Sequence, residues 1–207
     1  MQSLDDGLRP LHRLALAGDL AGVMAALRSG TPIDLPAGPP AHDKLLSHEG
    51  ATALHLASEG GHAPLCAALI EDGASLEART ARGETPLHYA LWLGSEPPVV
   101  GTLLGEGADA NAVTADGRTP LHFAASSEQY RSLVLLLRRG AAVDVADHEG
   151  CTALHVAAMK GWLAAAQRLV DAGARIDRID GSGRTPAHWA LAQGHEAVAR
   201  WLYDEGA

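Results

Sequence analysis

The stretch GRTPLHFAASSEQYRSLVLLLRRGAAVD, Gly117–Asp144, decides the fold because its opening motif recurs along the chain. The same pattern of glycine, threonine, histidine and alanine reads GATALHLA, GETPLHYA, GCTALHVA and GRTPAHWA at Gly50–Ala57, Gly83–Ala90, Gly150–Ala157 and Gly183–Ala190. A decayed copy, RPLHRLALAG, occupies Arg9–Gly18. A histidine present in every copy is expected to be a structural residue rather than a unique catalytic or metal-binding group.

The spacing of these histidines is nearly constant. They are His12, His55, His88, His122, His155 and His188, and only the first interval is much longer than 33 or 34 residues. A period of about 33 residues is typical of stacked helical repeats. With its Thr-Pro-Leu-His motif, Gly-His linker and Gly-Ala-Asp ending, each unit resembles the ankyrin repeat. The resemblance implies an all-α ankyrin-repeat solenoid of stacked helix-turn-helix pairs, joined by hairpin-like finger loops.

The resemblance covers nearly the whole chain and implies a single domain at 1–207. We expect an N-terminal capping repeat at 4–34, and then repeats at 48–80, 81–114, 115–147, 148–180 and a C-terminal one at 181–207. About ten extra residues interrupt the first finger, where three prolines and two glycines at 34–50 disfavour a helix. We assign a loop insertion to 35–47 and leave open whether it contacts a partner, since long loops are often functional or disordered.

Composition limits the classes of function. The formal net charge is −9, which argues against nucleic acid, since nucleic-acid binding needs clustered lysine and arginine. No apolar run approaches the ~20 residues of a membrane span, and no signal peptide is evident, so we expect a cytoplasmic protein. Two cysteines in separate repeats do not suggest disulfides. Few lysines among many alanines, glycines and arginines hint at a bacterial source.

Every repeat after the first begins with a threonine that can cap a helix, often followed by a proline suited to the first helical position. In the ankyrin family a bonded, buried imidazole ties this helix start to the threonine or to a neighbouring repeat, and the linker histidines His62 and His195 read the same way. The histidines are spread one repeat apart, whereas a zinc site needs four converging ligands. We therefore expect no metal and no cofactor.

Function is expected at the positions that vary between repeats, because the curvature of a repeat array creates an extended concave binding surface. In ankyrin arrays the finger tips and the exposed face of each first helix line that groove, and the charged tip residues Arg82 and Glu84 suit its polar rim. Trp92 and Leu93 place two apolar side chains where water is expected, and tryptophan often anchors an interface. Alternatively, Trp92 packs on its own repeat. The candidate partner-binding residues are Glu59, Arg82, Trp92, Leu93, Asp116, Arg118, His148, Glu149, Met159 and Lys160.

The preferred hypothesis is a non-catalytic protein–protein interaction module whose partner the sequence does not name, since a shared fold does not imply a shared partner. An alternative is a self-associating structural or assembly protein, because Trp201 and Tyr203 make the C-terminal end apolar for a cap. A bacterial effector acting on host proteins is a further alternative. An enzyme built on His148, Glu149 and Cys151 is disfavoured, since a short exposed turn neither excludes water nor holds an oxyanion.

Overall fold

The computed structural model describes residues 9–38, 48–92 and 97–206. Within these ranges the chain is all-α, with twelve helices arranged as six antiparallel pairs and no strand. The contacts divide the chain into two compact units, Met1–Asp109 and Ala110–Ala207. Unit 1 contains α1 (Pro10–Leu16), α2 (Leu20–Arg28), α3 (Ala53–Glu59), α4 (Ala63–Glu71), α5 (Pro86–Trp92) and α6 (Pro97–Gly105). Unit 2 contains α7 (Pro120–Ser126), α8 (Tyr130–Arg138), α9 (Ala153–Met159), α10 (Leu163–Asp171), α11 (Pro186–Ala192) and α12 (Glu196–Asp204).

From the second repeat onward the motif histidines cap the first helices, as predicted, whereas α1 starts after Arg9 without a side-chain cap. In α9, Thr152 is the N-cap residue, and the Nδ1 atom of His155 accepts the Thr152 backbone N–H at 3.1 Å. The same reciprocal arrangement is present in α3, α7 and α11, where the N-cap residues are Thr52, Thr119 and Thr185. Each cap satisfies backbone N–H groups that a helix start leaves without an intrahelical partner.

The other ring nitrogen joins one repeat to the next. His55 Nε2 lies 3.1 Å from the carbonyl oxygen of Glu84, and His155 Nε2 lies 3.2 Å from that of Arg184. Because a carbonyl oxygen only accepts, the proton must be on Nε2, which leaves Nδ1 free to accept from the capping threonine. The neutral tautomer is therefore set by the packing of the repeats, and the motif histidines of both units have the structural role predicted for them.

The core of each unit is built from leucine and alanine. Leu65 and Leu69 of α4 and Leu133 and Leu136 of α8 are fully buried, and small alanines on the first helices allow the paired helices to pack closely. Glycines with positive φ follow the second helices, as the sequence predicted; Gly140 after α8 is one of them. A residue in this conformation commonly ends a helix, and glycine adopts it without a Cβ clash.

The linker inside each helical pair also connects neighbouring repeats. His62 Nε2 donates to the carbonyl oxygen of Leu16 at 2.9 Å, and His195 Nε2 donates to that of Met159 at 3.1 Å. A Cβ added to Gly161 would lie 2.4 Å from His195 Nδ1, so the imidazole occupies space that only glycine leaves open. The linker histidines are structural, as expected.

One linker departs from this pattern. Glu128 has a φ of 55°, where Gly18, Gly61, Gly161 and Gly194 stand at the equivalent positions. A side chain in the left-handed region costs about 1–2 kcal/mol. We expect Glu128→Gly to raise the free energy of unfolding by about 0.5–1 kcal/mol after the greater freedom of glycine in the unfolded chain is subtracted. Urea unfolding would measure this, and a destabilised Glu128→Gly variant would contradict the strain argument.

The finger loops are tight turns closed by backbone hydrogen bonds. In unit 2 the Asp147 N–H donates to the carbonyl oxygen of Cys151 at 2.8 Å, and Asp147 Oδ1 accepts the backbone N–H groups of Glu149 and Cys151. Successive fingers bond to each other: the His148 N–H donates to the carbonyl oxygen of Asp116 at 2.9 Å, and the Gly181 N–H donates to that of Glu149 at 2.7 Å. This pairing fixes the position of each tip relative to the next within unit 2.

Candidate functional site

In unit 1 the candidate surface lies at the end of the first helices. The Trp92 side chain, in the last residue of α5, is 42% exposed, whereas Leu91 and Ala90 beside it are fully buried. Glu59, at the same position of α3, is half-buried, and its carboxylate lies 2.9 Å from His48 Nε2. The repeat therefore keeps a large aromatic surface exposed where it buries the neighbouring positions.

Tyr89 joins this surface and was missed by the sequence reasoning. Its ring lies 5.0 Å from that of His55 and 6.0 Å from that of His48, and the residue is almost completely buried. Burial raises the pKa of the Tyr89 hydroxyl, and the nearby Glu84 and Glu59 carboxylates raise it further. The signal available in the sequence was the position directly after the motif histidine, which carries an aromatic residue in three repeats.

The finger tip of unit 1 separates two residues that the sequence grouped together. Arg82 is exposed at the tip, which is compatible with contact to a partner. Glu84, which the pattern placed on a polar rim, is buried, and its carboxylate accepts a hydrogen bond from the Thr80 hydroxyl at 3.2 Å. The placement of Glu84 on the rim was wrong, because its side chain turns inward to brace the turn.

In unit 2 the candidate tip residues form a charged group. Arg118 Nε lies 3.2 Å from a carboxylate oxygen of Asp116 and 3.6 Å from one of Asp147. Burial opposes ionisation of Asp116, but hydrogen bonding from Thr114 and the positive charge of Arg118 outweigh it and lower the Asp116 pKa. His148 and Glu149 are exposed on the adjacent finger. Opposite charges placed together at an exposed edge suit the polar rim of an interface.

The end of α9 supplies the last two candidates. Met159 is half-buried, and Lys160 directly after it is exposed. The carbonyl oxygen of Met159 is the one that His195 binds, so this residue also helps to hold the next repeat. Met159 therefore has a scaffold role through its backbone, while its flexible side chain contributes part of the surface.

A second aromatic group in unit 2 was also missed. Trp189 Nε1 donates to Asp180 Oδ2 at 2.6 Å, and the Arg184 guanidinium lies 4.8 Å from the centre of the indole ring. Burial opposes ionisation of Asp180, yet hydrogen bonds from Arg184, Trp189 and Ser182 hold its pKa well below its usual value. Charge and hydrogen bonding fix Trp189 in place.

The thiol of Cys151 does not support a nucleophile. The residue is buried, although the sequence predicted an exposed turn here, and its carbonyl oxygen is the acceptor for His122 Nε2 at 3.0 Å. Burial raises the pKa of Cys151 to about 11, with the carboxylates of Asp147, Asp180 and Glu149 acting in the same direction. Reactive cysteines have lowered pKa values, since the thiolate is the nucleophile. Among the described residues, no group of three or more His, Cys, Asp or Glu side chains converges as a metal site.

The family model for ankyrin repeats matches the chain three times, over residues 11–114, 94–180 and 121–207. The chain belongs to the ankyrin-repeat family. Ankyrin repeats are in general protein–protein interaction modules with no catalytic role of their own, so the fold of this ankyrin-repeat protein agrees with the preferred class of function. No curated protein matches the chain significantly.

Two parts of the predicted site lie outside the described residues of this ankyrin-repeat protein. They are Leu93 and most of the 35–47 insertion, namely 39–47. The flanks of the insertion are described: the Ala37 N–H donates to the carbonyl oxygen of Ala51 at 2.7 Å, and the Gly50 N–H donates to that of Ala37 at 3.0 Å. None of the helices that the structure describes is both long and apolar enough to cross a bilayer.

Proposed function

We propose that this ankyrin-repeat protein is a non-catalytic cytoplasmic module that binds a partner protein through the ends of its first helices and its finger tips. In unit 1 the binding positions are Glu59, Arg82, Trp92 and Leu93. In unit 2 they are Asp116, Arg118, His148, Glu149, Met159 and Lys160. The exposure of Trp92 carries the proposal most directly.

Trp92 supports an interface because it is a large aromatic residue that stays partly exposed. Ala90 and Leu91 beside it on α5 are fully buried, whereas Trp92 is 42% exposed. Covering an exposed tryptophan with a partner removes its apolar surface from water, which favours binding. Tryptophan is also enriched among the residues that dominate binding energy. In the same unit, Glu59 and Arg82 supply charges of both signs, as a polar rim does.

The absence of a reactive centre among the candidate residues supports a binding role over catalysis. The tip histidine His148 and Glu149 are exposed to water, and the buried Cys151 thiol has a raised pKa. Catalysis by such groups would need a dry, pre-organised environment around them. The groups with the strongest pKa shifts in unit 2 brace turns or join repeats.

Truncating the tryptophan tests the proposal. We expect Trp92→Ala to weaken binding of the partner by about 30-fold or more, which corresponds to about 2 kcal/mol, the effect typical of an anchor residue. The partner would first be captured from a lysate with the wild-type chain as bait, and its affinity for each variant would then be measured by calorimetry.

Tyr130→Ala is the matched control. Tyr130 is 44% exposed, close to the value for Trp92, but it lies at the start of α8 against Trp162, with ring centres 6.3 Å apart. It is therefore an aromatic of similar exposure outside the proposed positions. Retained binding in a folded Trp92→Ala variant would contradict the proposal, as would equal losses in both variants.

A further inference from the structure

The two units of the chain differ in net charge. Unit 1 contains 14 of the 25 acidic residues and only 6 of the 16 basic ones, so its formal net charge is −8. Unit 2 contains the other 11 acidic and 10 basic residues, so its net charge is −1. A strong charge on one part of a chain attracts groups of the opposite sign. The excess of carboxylates in unit 1 therefore favours a basic partner there.

Two carboxylates of unit 1 act on the surroundings of Tyr89, a buried residue of α5. The Glu59 carboxylate lies 2.9 Å from His48 Nε2, and the centre of the His48 ring lies 6.0 Å from that of Tyr89. Burial is the main cause of the raised pKa of the Tyr89 hydroxyl, and the Glu84 and Glu59 carboxylates raise it further. Arg82 acts in the opposite direction. Negative charge therefore predominates around this ring.

Trp92 lies on the same side of α5 as Tyr89. Residues three apart on a helix are neighbours on its surface, so the two side chains leave α5 in similar directions. Helix α3 packs against α5, and Glu59 ends α3 as Trp92 ends α5. The half-buried carboxylate of Glu59 and the 42% exposed indole therefore belong to one row of equivalent positions along the first helices.

The finger tips of unit 1 add one charge of each sign. Glu49 is exposed, and its carbonyl oxygen accepts the Ala81 N–H at 2.9 Å, which places it next to the finger that carries Arg82. Arg82 is exposed as well. In the repeats of α3 and α5, the described groove positions thus carry one guanidinium, that of Arg82, against the three carboxylates of Glu49, Glu59 and Glu84.

Unit 2 has different charges at the equivalent positions. Ser126 and Met159 end α7 and α9, and neither is charged. The residue directly before the capping threonine is Glu84 in unit 1, whereas it is Arg118 and Arg184 in two fingers of unit 2. The sign of the charge at that position is therefore reversed. Among the described residues, an exposed indole combined with an excess of groove carboxylates belongs to unit 1.

We propose that the partner segment bound at Trp92 is basic, and that one of its arginine or lysine side chains lies on the indole and pairs with Glu59. This inference rests on the partner binding proposed above and names its chemistry. A cation over an aromatic ring is attracted by the negative potential of the ring face, most strongly for tryptophan. A carboxylate can accept about four hydrogen bonds, so Glu59 can bind His48 and a cation at the same time. An acidic segment would meet like charges on this surface, which selects against it.

Two labelled peptides serve as probes, one of alternating arginine and serine and one with glutamate in place of each arginine. Fluorescence anisotropy is expected to show that the arginine peptide alone binds, and that added salt weakens its binding. Trp92→Ala is expected to weaken this binding by about tenfold and Glu59→Gln by about fivefold. Glutamine keeps an oxygen that can accept from His48, so this variant removes the charge and retains the hydrogen bond.

Glu71→Gln is the matched control. It removes the same charge from an exposed residue that ends α4, a second helix outside the groove positions. We expect it to change the affinity by less than about 1.5-fold, because salt screens a distant exposed charge. Glu49→Gln provides a second groove variant should Glu59→Gln disturb folding, which circular dichroism would show. Its expected effect is a loss of about threefold, since Glu49 is exposed at the tip.

Several results would overturn the proposal. The first is an arginine peptide that does not bind, or a glutamate peptide that binds equally well. The second is unchanged binding in a folded Trp92→Ala variant, or in folded Glu59→Gln and Glu49→Gln variants. The third is an equal loss in Glu71→Gln, since the whole acidic unit rather than this surface would then attract the peptide.

The partner captured with the wild-type chain separates this inference from the proposed function. A partner that needs Trp92 but binds the Glu59→Gln and Glu49→Gln variants as tightly as the wild type would refute the basic segment and leave the binding proposal intact. A partner whose binding does not need Trp92 would refute both. Losses in Trp92→Ala and Glu59→Gln, with none in Glu71→Gln, are the expected result.

Discussion

Lowering the pH from 6.5 to 4.5 is expected to destabilise the protein strongly, because its buried histidines must remain neutral. Burial lowers the pKa of His55 to about 4, from an ordinary value near 6.5. Between these two values the unfolded chain binds a proton at this residue and the folded chain does not. The free energy of unfolding therefore falls by about 1.4 kcal/mol per pH unit from His55 alone.

Other members of the series act in the same direction. Burial also lowers the pKa values of His12, His122 and His155, despite bonds from their rings to backbone carbonyl oxygens. The free energy of unfolding is not reduced by these histidines above pH 6.5, where they are neutral in both states. It falls progressively as the pH is lowered below that value. Protonation would also put a proton on Nδ1, the atom that accepts from the capping threonine, so the cap and the tautomer are lost together.

Urea unfolding at pH 7.5, 6.5, 5.5 and 4.5 would measure this dependence. The midpoint should change little between the first two values and fall steeply below them. NMR titration of the histidine ring protons in the native state should show His55 remaining neutral well below pH 6.5. A midpoint that is constant from pH 6.5 to 4.5 would contradict the assignment of neutral, buried imidazoles.

Replacing a single inner histidine is expected to cost about 3–4 kcal/mol. His155→Ala removes the acceptor of the Thr152 cap, the donor to Arg184 and a fully buried ring. A helix cap contributes about 1 kcal/mol, a neutral hydrogen bond about 1 kcal/mol, and the cavity left by the ring the remainder. The loss falls on the junction between two repeats, so unit 2 should lose cooperativity as well as stability.

His188→Ala is the matched control for this prediction. His188 makes the same cap, with Thr185, but its ring is exposed and donates to no described carbonyl oxygen. We expect this variant to lose about 1 kcal/mol, the value of the cap alone. Chemical denaturation of both variants at pH 7.5 gives the comparison; equal losses would show that the bond to the next repeat contributes nothing.

The scaffold could be predicted from the sequence because each of its rules is local and repeats in phase. The interval between motif histidines gave the helical pairs, and the threonine three residues before each histidine after His12 gave the cap that the structure shows. The acceptor of the Nε2 hydrogen bond was only partly predictable. The cap needs one nitrogen, and the acceptor of the other lies 29 residues further along the chain.

The surface was harder to predict because side-chain direction depends on neighbours that differ between repeats. Glu84 and Arg82 are two residues apart on one finger, yet only Arg82 points to solvent, since the Thr80 hydroxyl captures the carboxylate of Glu84. The sequence reasoning also did not single out Trp189, whose ring is held by Asp180 and Arg184. Such differences follow from single polar contacts that a periodic pattern does not encode.

Site-specific photo-crosslinking would test the central claim that partner proteins bind at the variable positions most directly. A photoreactive amino acid would replace Trp92 in one variant and Lys160 in another, with Leu20 and Tyr130 as control positions of comparable exposure. The account predicts that the partner captured by the wild type forms crosslinks from Trp92 or Lys160 and not from the controls. Crosslinks that form only from Leu20 or Tyr130 would place the partner at the starts of the second helices and contradict the claim.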